Sequence, residues 1–190
     1  MLRLVTLRVY ERSLEVPAPP VTLPAGVELV VMDRDHVTAD LRDRWHPEAE
    51  QRLREGQACV VARHGTEVVA YCWLTRTPVL VDEVGHAVVL APDEVYYYDA
   101  FTVPEWRGRG LFLAVLSHGL ALARTWGAKR ALIFADTKNA ASRRVIERAG
   151  FEIVHTVSRV ALWRLTRLWF RGGRPVSSRV TLVKGEPRRG

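Results

Sequence analysis

The feature that most constrains this chain is a change of hydrophobic period around a pair of glycines. From Val95 to Val103 the sequence VYYYDAFTV is rich in aromatic and β-branched residues, the composition of a strand in mid-sheet. Pro104-Glu105-Trp106 turns the chain and Arg107-Gly108-Arg109-Gly110 follows. Phe112, Val115, Leu116, Gly119, Leu120 and Ala123 then recur at helical spacing until Gly127 ends the pattern. Arg130 to Ala135 (RALIFA) returns to strand. Strand, helix and strand in this order call for a parallel crossover, so the chain must build a sheet with at least one helix laid on it.

The flanks extend that sheet. Leu2 to Val9 alternates as a strand, which Pro17, Pro19, Pro20 and Pro24 end, and Val27 to Val31 predicts a second. Asp33 or Asp35 can cap a helix carrying Leu41 and Trp45, and Pro47 opens a further helical turn up to Gly56. Ala58 to Ala62 and Val68 to Leu74 predict a hairpin turned by Arg63 to Glu67. Pro78 to Pro92 has no clear period and reads as loop or irregular strand. Asn139 begins a shorter helix that buries Val145, Ile146 and Ala149 and stops at Gly150, and Phe151 to Leu162 supplies one or two last strands. The expected fold class is a mixed α/β layer.

Composition narrows the function classes. A chain of 190 residues suits one domain with a sizeable core. No apolar run reaches the ~18 residues of a membrane-spanning helix, and MLRLVTLRVYERSLE lacks the apolar heart of a secretory signal. With only two cysteines, the expected location is the cytoplasm. The net charge of +7 is uneven: from Arg159 onward 9 basic residues face one acid, Glu186. The body is near neutral, which argues against a dedicated nucleic-acid site. The tail Trp163 to Arg171 interleaves aromatic and basic residues. A weak contact with an anionic surface is its sharper reading, a packed final strand the plainer one. Six scattered histidines show no ligand spacing, so no metal is expected. Cys59 and Cys72 flank the Gly65 turn and are most simply small buried hydrophobes.

The chemistry concentrates after Val103. Gly108 and Gly110 let backbone N–H groups approach an anion, the following helix adds unpaired donors and its dipole, and Arg107 and Arg109 add charge. The P-loop pattern is absent, and Leu113 stands where a dinucleotide fingerprint needs its third glycine.

Val103-Pro104-Glu105-Trp106-Arg107-Gly108-Arg109-Gly110-Leu111-Phe112, followed by Asn139, Ser142, Gly150 and Phe151, resembles the two signatures of the GNAT superfamily of acyl-CoA-dependent N-acetyltransferases. The resemblance implies a central, mostly antiparallel sheet with one parallel crossover and helices on both faces. It implies one GNAT-like domain over residues 1–190, with 1–26 as an N-terminal strand and proline-rich connection and 163–190 as a basic extension. It also implies direct transfer from acetyl-CoA, or another acyl-CoA, to the amine of a small-molecule or peptide acceptor. Phe101, Thr102, Val103, Arg107, Gly108, Arg109, Gly110, Leu111, Phe112, Asn139 and Ser142 would bind the cofactor, a backbone N–H of Phe101 to Val103 polarising the thioester carbonyl. A homodimer is among the assemblies open to the chain.

Two positions depart from the pattern: Phe112 replaces a small residue, and Ile146 replaces a tyrosine thought to protonate the departing sulfur. Asp99, the one charge within a run of aromatic residues, is the first candidate for the general base, and Asp136 is the second. Pairing with an arginine is the plainer reading of Asp99. Strict alternation puts Tyr97 on the face of Asp99, and Tyr96 and Tyr98 on the other. Glu83 and Glu94 are weaker candidates, expected in solvent. A catalytically silent acyl-CoA-binding module and an interaction protein working through the basic tail are the rival classes.

Overall fold

In a computed structural model, which describes residues 2–32, 41, 47–81, 83, 85–162, 165–172 and 181–184, the expected crossover forms the centre of the molecule. Strand β7 (Glu94–Thr102) leads through a 3-10 turn at Pro104–Trp106 into α2 (Leu111–Thr125), and β8 (Arg130–Asp136) returns parallel to β7. The hairpin of β3 (Ala58–His64) and β4 (Glu67–Thr75) continues the sheet from β7 antiparallel, and β2 (Val27–Met32) forms its edge. On the other side of β8 come β1 (Leu2–Ser13), β9 (Glu152–Leu162) and β10 (Leu165–Gly172), giving the order β10-β9-β1-β8-β7-β4-β3-β2. Among the described residues β7 and β8 are the one parallel pair. Helix α1 (Ala49–Arg54) precedes β3, and α3 (Ala140–Arg148) joins β8 to β9.

The segment Pro78 to Pro92, which lacks a sequence period, holds two short strands, β5 (Val79–Val81) and β6 (His86–Val89). They form a small second sheet with β11 (Thr181–Lys184). Two parts of the basic extension are therefore paired strands, β10 on β9 and β11 on β6. The helix expected after Asp33 or Asp35 lies outside the described residues, apart from Leu41, which is buried.

Side-chain alternation along the sheet separates two cores. Cys72, Leu74, Tyr97, Ile133 and Tyr10 point to one face and are covered by Leu116, Leu120 and Ala123 of α2 and Ile146 of α3. Gly119 allows that closeness: a Cβ there would sit 2.8 Å from Cε1 of Tyr97 and 3.1 Å from Cδ2 of Leu74. On the opposite face Trp73, Cys59 and Val61 pack under Leu53 of α1. Beside them Tyr96, Leu132 and Leu7 pack under Val81 and Val88 of the small sheet. At about 1.5–3 kcal/mol for each large apolar side chain removed from water, both faces contribute substantially. Helices thus lie on both faces, as expected.

The ends of β7 and β8 remote from the site are tied together. Glu94 is 1% exposed and accepts from the Ala91 N–H (2.8 Å) and from Arg130 Nε (3.3 Å), while Arg130 also pairs with Asp93 at 3.1 Å. Glu94 is therefore a buried structural carboxylate, not the solvated one expected, because Arg130 of the neighbouring strand stands opposite it in register. At the far edge of α3 the buried Arg12 of β1 donates to the carbonyls of Ala149 and Pro17, capping the helix C-terminus.

Candidate functional site

The β7–β8 ladder runs from Glu94·Arg130 to Tyr97·Ile133 and stops there, although β7 continues to Thr102 and β8 to Asp136. Beyond Tyr97 the two strands separate and leave a gap in mid-sheet. On its other side β7 stays paired with β4, with an irregularity: Trp73 faces Tyr98 and Tyr71 faces Phe101, so Asp99 and Ala100 together oppose Cys72. This is a β-bulge, and its first residue, Asp99, is the one non-glycine residue with positive φ (48°) among those described.

The bulge decides which backbone groups face the gap. The Val103 N–H is bonded to the Val69 carbonyl at 3.0 Å, so the alternation of an antiparallel ladder points the Phe101 N–H towards β4 and the Thr102 N–H away from it. The Thr102 carbonyl also points into the gap, where it accepts from Arg107 Nε at 3.2 Å.

A cleft of about 490 Å³ lies on the α2–α3 side of that opening, lined by Ala100, Phe101, Thr102, Arg107, Gly108, Gly110, Phe112, Asn139, Ser142, Val145 and Arg148, among others. Gly110, with φ +79°, is the residue preceding α2. The first intrahelical bond is from the Ala114 N–H to the Gly110 carbonyl, and no side chain caps the helix. The N–H groups of Leu111, Phe112 and Leu113 therefore precede the intrahelical ladder. A Cβ on Gly108 or Gly110 would meet nothing within 4 Å, so positive φ demands the glycines, and the space before them is open. Arg109 lies over the Trp106 ring at 4.7 Å and Arg107 over Phe101 at 5.8 Å, which holds both cations at the turn. At the far wall Asn139 Oδ1 accepts the Ser142 N–H at 3.0 Å and caps α3.

A second cavity, of about 620 Å³, lies on the opposite face between α1 and the small sheet. Tyr96 and Tyr98, stacked with ring centroids 5.8 Å apart, and Phe134 provide its aromatic wall. Among the described residues five carboxylates line it, Glu48, Glu55, Glu83, Asp99 and Asp136, against the single guanidinium of Arg52. Arg52 sits over Trp73 (5.0 Å) and Tyr98 (5.5 Å) and donates to Asp99 Oδ2 (2.7 Å) and Glu48 Oε1 (2.6 Å). Burial works against its charge, but the Asp99 hydrogen bond and the charges around it more than offset that and raise its pKa. Tyr98 donates to Gln57 Oε1, and burial pushes its hydroxyl pKa up. Asp136 Oδ1 accepts the Lys138 N–H at 2.7 Å.

The sequence from residue 29 to residue 151 matches the model of the acetyltransferase (GNAT) family, well over half of the chain. The chain belongs to the GNAT acetyltransferase family. No curated protein matches it in sequence. Among solved structures, a Drosophila protein superposes with a TM-score of 0.57 at 16% identity, covering 84% of this chain and 51% of that one. A GNAT-family protein from Novosphingobium aromaticivorans gives 0.56 at 15%, with coverages of 90% and 66%. A GCN5-related N-acetyltransferase from Sphaerobacter thermophilus gives 0.56 at 18%, with coverages of 95% and 56%. At these identities the likeness is one of fold, and this chain spans about half to two thirds of those structures' lengths. Strands β1 and β9 to β11 of this GNAT protein fall outside the matched segment, yet β1 occupies the centre of the sheet between β8 and β9.

Most of the residues singled out from the GNAT signature surround one cleft. Leu111 is also there, 1% exposed, while Val103 and Arg109 do not line it. Of the three backbone donors considered, Thr102 faces the gap, and Val103 is committed to Val69. Asp99 shares its face with Tyr98 and not with Tyr97, because the bulge resets the alternation, and it has the arginine partner of its plainer reading. Phe112 is half-buried against the core and lines the cleft. Ile146 and Ala149 are completely buried, as the helix period predicts, so Ile146, at the position of the family's tyrosine, lines neither cavity; Val145, expected in the core with them, is half-buried and lines the cleft. Cys59 and Cys72 are free and buried on opposite faces of the hairpin, in different cores. Among the described residues no group of three or more His, Cys, Asp or Glu could hold a metal ion. Arg52, Glu48, Glu55 and Gln57 were not singled out one by one: they belong to or follow the charged helical turn after Pro47, where the fold turns Gln57 and most of Arg52 inward and leaves Glu55 exposed.

Proposed function

We propose that this protein is an N-acetyltransferase that binds acetyl-CoA in the 490 Å³ cleft and transfers the acetyl group to a primary amine entering through the 620 Å³ cavity. The observation that carries the reading is the meeting of the two cavities at one bulge: Asp99 lines the acidic cavity and its neighbour Ala100 the cleft. The cleft fits the cofactor. Open space in front of left-handed Gly108 and Gly110, together with the N–H groups of Leu111 to Leu113 at the positive end of α2, suits a pyrophosphate. Bound acetyl-CoA supplies an activated thioester.

The protein's own groups then position and deprotonate. The Thr102 N–H, fixed by the sheet, orients the acetyl carbonyl and stabilises negative charge developing on its oxygen. Asp136 receives the proton of the incoming ammonium, directly or through one water. It is preferred to Asp99 because protonating Asp99 would break the Arg52 pair, whereas no described cation pairs with Asp136. Asp99 and Arg52 hold the bulge. With Ile146 buried, α3 would supply no side-chain acid: as the C–N bond forms and the C–S bond breaks, the sulfur would leave as the thiolate of a thiol whose ordinary pKa is ~8.5, and the remaining amine proton would pass to it directly or through water.

Release of CoA from acetyl-CoA across a panel of amines tests the reading. Asp136→Asn should cut turnover about 10²-fold or more with acetyl-CoA affinity unchanged. Equal turnover would remove Asp136 from the chemistry. The buried Ile146 also favours a second reading, a binding module without turnover, for which acetyl-CoA would bind tightly while no amine in the panel is acetylated.

A further inference from the structure

A bulge residue with positive φ is ordinarily glycine, because a Cβ there crowds the following carbonyl. At the bulge of β7 it is Asp99, φ 48°, and every other described residue with positive φ is a glycine. Aspartate tolerates this conformation but adopts the extended one of an unbulged strand as readily, so the bulge needs a hold from outside the strand. Arg52 supplies one. Helix α1 is anchored by buried Ala49 and Leu53, and the Arg52 side chain, 16% exposed, lies over the Trp73 and Tyr98 rings and is tied to Glu48 through Nη2. Its Nη1 then donates to Asp99 Oδ2 at 2.7 Å. Without the bulge, alternation would turn residue 99 to the face of Tyr97, which α2 covers, out of reach of Arg52. The ion pair and the bulge therefore require each other.

The consequence appears three residues on. Pairing with Trp73 on one side and the ladder to β8 on the other fix β7 up to Tyr98. With the extra residue, Val103 bonds to the Val69 carbonyl and the Thr102 N–H faces the gap. Without it every later residue of β7 would pair one position earlier, so Thr102 would take the bond to Val69 and its N–H would leave the gap.

The structure assigns Arg52 as a positioning residue: through Asp99 it holds the bulge and so aims the Thr102 N–H at the acetyl carbonyl. For the role of Thr102 this rests on the acetyl-transfer reading; for what Arg52 holds it does not.

Amide hydrogen exchange of the free full chain tests it in Arg52→Met, Asp99→Ala, Asp99→Gly and the double variant Arg52→Met with Asp99→Gly. In the parent, Val103 should exchange about tenfold more slowly than Thr102 or better, since it alone of the two is bonded to β4. Arg52→Met and Asp99→Ala both lose the ion pair while residue 99 keeps a Cβ, and the ratio should fall to about one or invert. Asp99→Gly loses the carboxylate too but takes positive φ freely, so it and the double variant should keep the parent ratio. Such rescue by glycine is not expected if Arg52 only packs. A parent-like ratio in Arg52→Met, or a double variant as altered as Arg52→Met, overturns the assignment. Should Arg52→Met fail to fold, the alanine and glycine variants decide alone, and equal ratios in those two overturn it. The difference in the Thr102 amide shift between the CoA-bound and acetyl-CoA-bound protein should be present in the parent and the glycine variants and lost in the other two. Its absence in the parent, with the exchange ratios as expected, would strike the acetyl-transfer reading alone.

Discussion

Substitution of Gly110 separates backbone strain from cofactor contact, and the structure sets the size of each. At φ +79° an L-residue with a side chain costs about 1–2 kcal/mol. An ideal Cβ there meets nothing within 4 Å, so no packing clash is added to that cost. Gly110→Ala should therefore lower the melting temperature by about 2–8 °C for a chain of this size. Gly110→Asn should lose less, because asparagine tolerates the left-handed region. Gly110→Asp should also lose less than alanine, because its charge sits at the positive end of α2 and returns about 0.3–1 kcal/mol. Binding should follow another order. All three side chains enter the space in front of the α2 donors, and aspartate adds repulsion to a pyrophosphate. Acetyl-CoA affinity measured by calorimetry should fall about tenfold or more in Ala and Asn and furthest in Asp. The aspartate variant is the decisive one: near-parent stability with lost binding is expected. Parent-like affinity in that variant would refute the placement of the phosphates, and a loss above about 4 kcal/mol in Gly110→Ala would refute the open cradle.

Other outcomes follow from the same geometry. Burial pushes the Cys59 and Cys72 thiols above their ordinary 9.0 and the Tyr96 and Tyr97 hydroxyls above 10.0. Folding favours the protonated forms, so this contribution is whole below about pH 9 and is lost as pH rises through the folded values; denaturant melts at about pH 7, 9 and 10.5 should show falling stability, and a flat profile would contradict the burial. Ile146→Tyr overfills a completely buried position and should cost about 1–3 kcal/mol in a denaturant melt with no gain in single-turnover rate; a faster variant of parent stability would place that side chain at the site after all.

The crossover, the glycine turn and the caps of α3 were legible because each is a local matter: a period of two, a period of 3.6, a residue able to hold positive φ, an asparagine three residues before a free N–H. The acidic cavity was less legible. Asp136 and Asp99 were singled out, but the face of Asp99 depends on a bulge that the even run of aromatic residues conceals. The surroundings of Asp99 come from α1, which reaches it only through long-range pairing of β3, β4 and β7. Glu94 looked like a loop carboxylate until its parallel neighbour placed Arg130 across from it. The position of β1 between β8 and β9 likewise follows from register, to which alternation within β1 is indifferent: the same LRLVTLRVY would suit an edge strand as well. Arg12 shows what that placement accomplishes, since a central β1 alone brings a guanidinium to the end of α3.

The claim on which the rest depends is that acetyl-CoA lies across the gap between β7 and β8 with its phosphates at the start of α2. Amide-resolved NMR during an acetyl-CoA titration tests it directly. The account predicts saturable shifts concentrated at Ala100 to Thr102, Gly108 to Leu113 and Asn139 to Ser142, with the Thr102 amide among the most displaced and Val103, bonded to Val69, moving little. Shifts confined to other surfaces, or no saturable change, would contradict it.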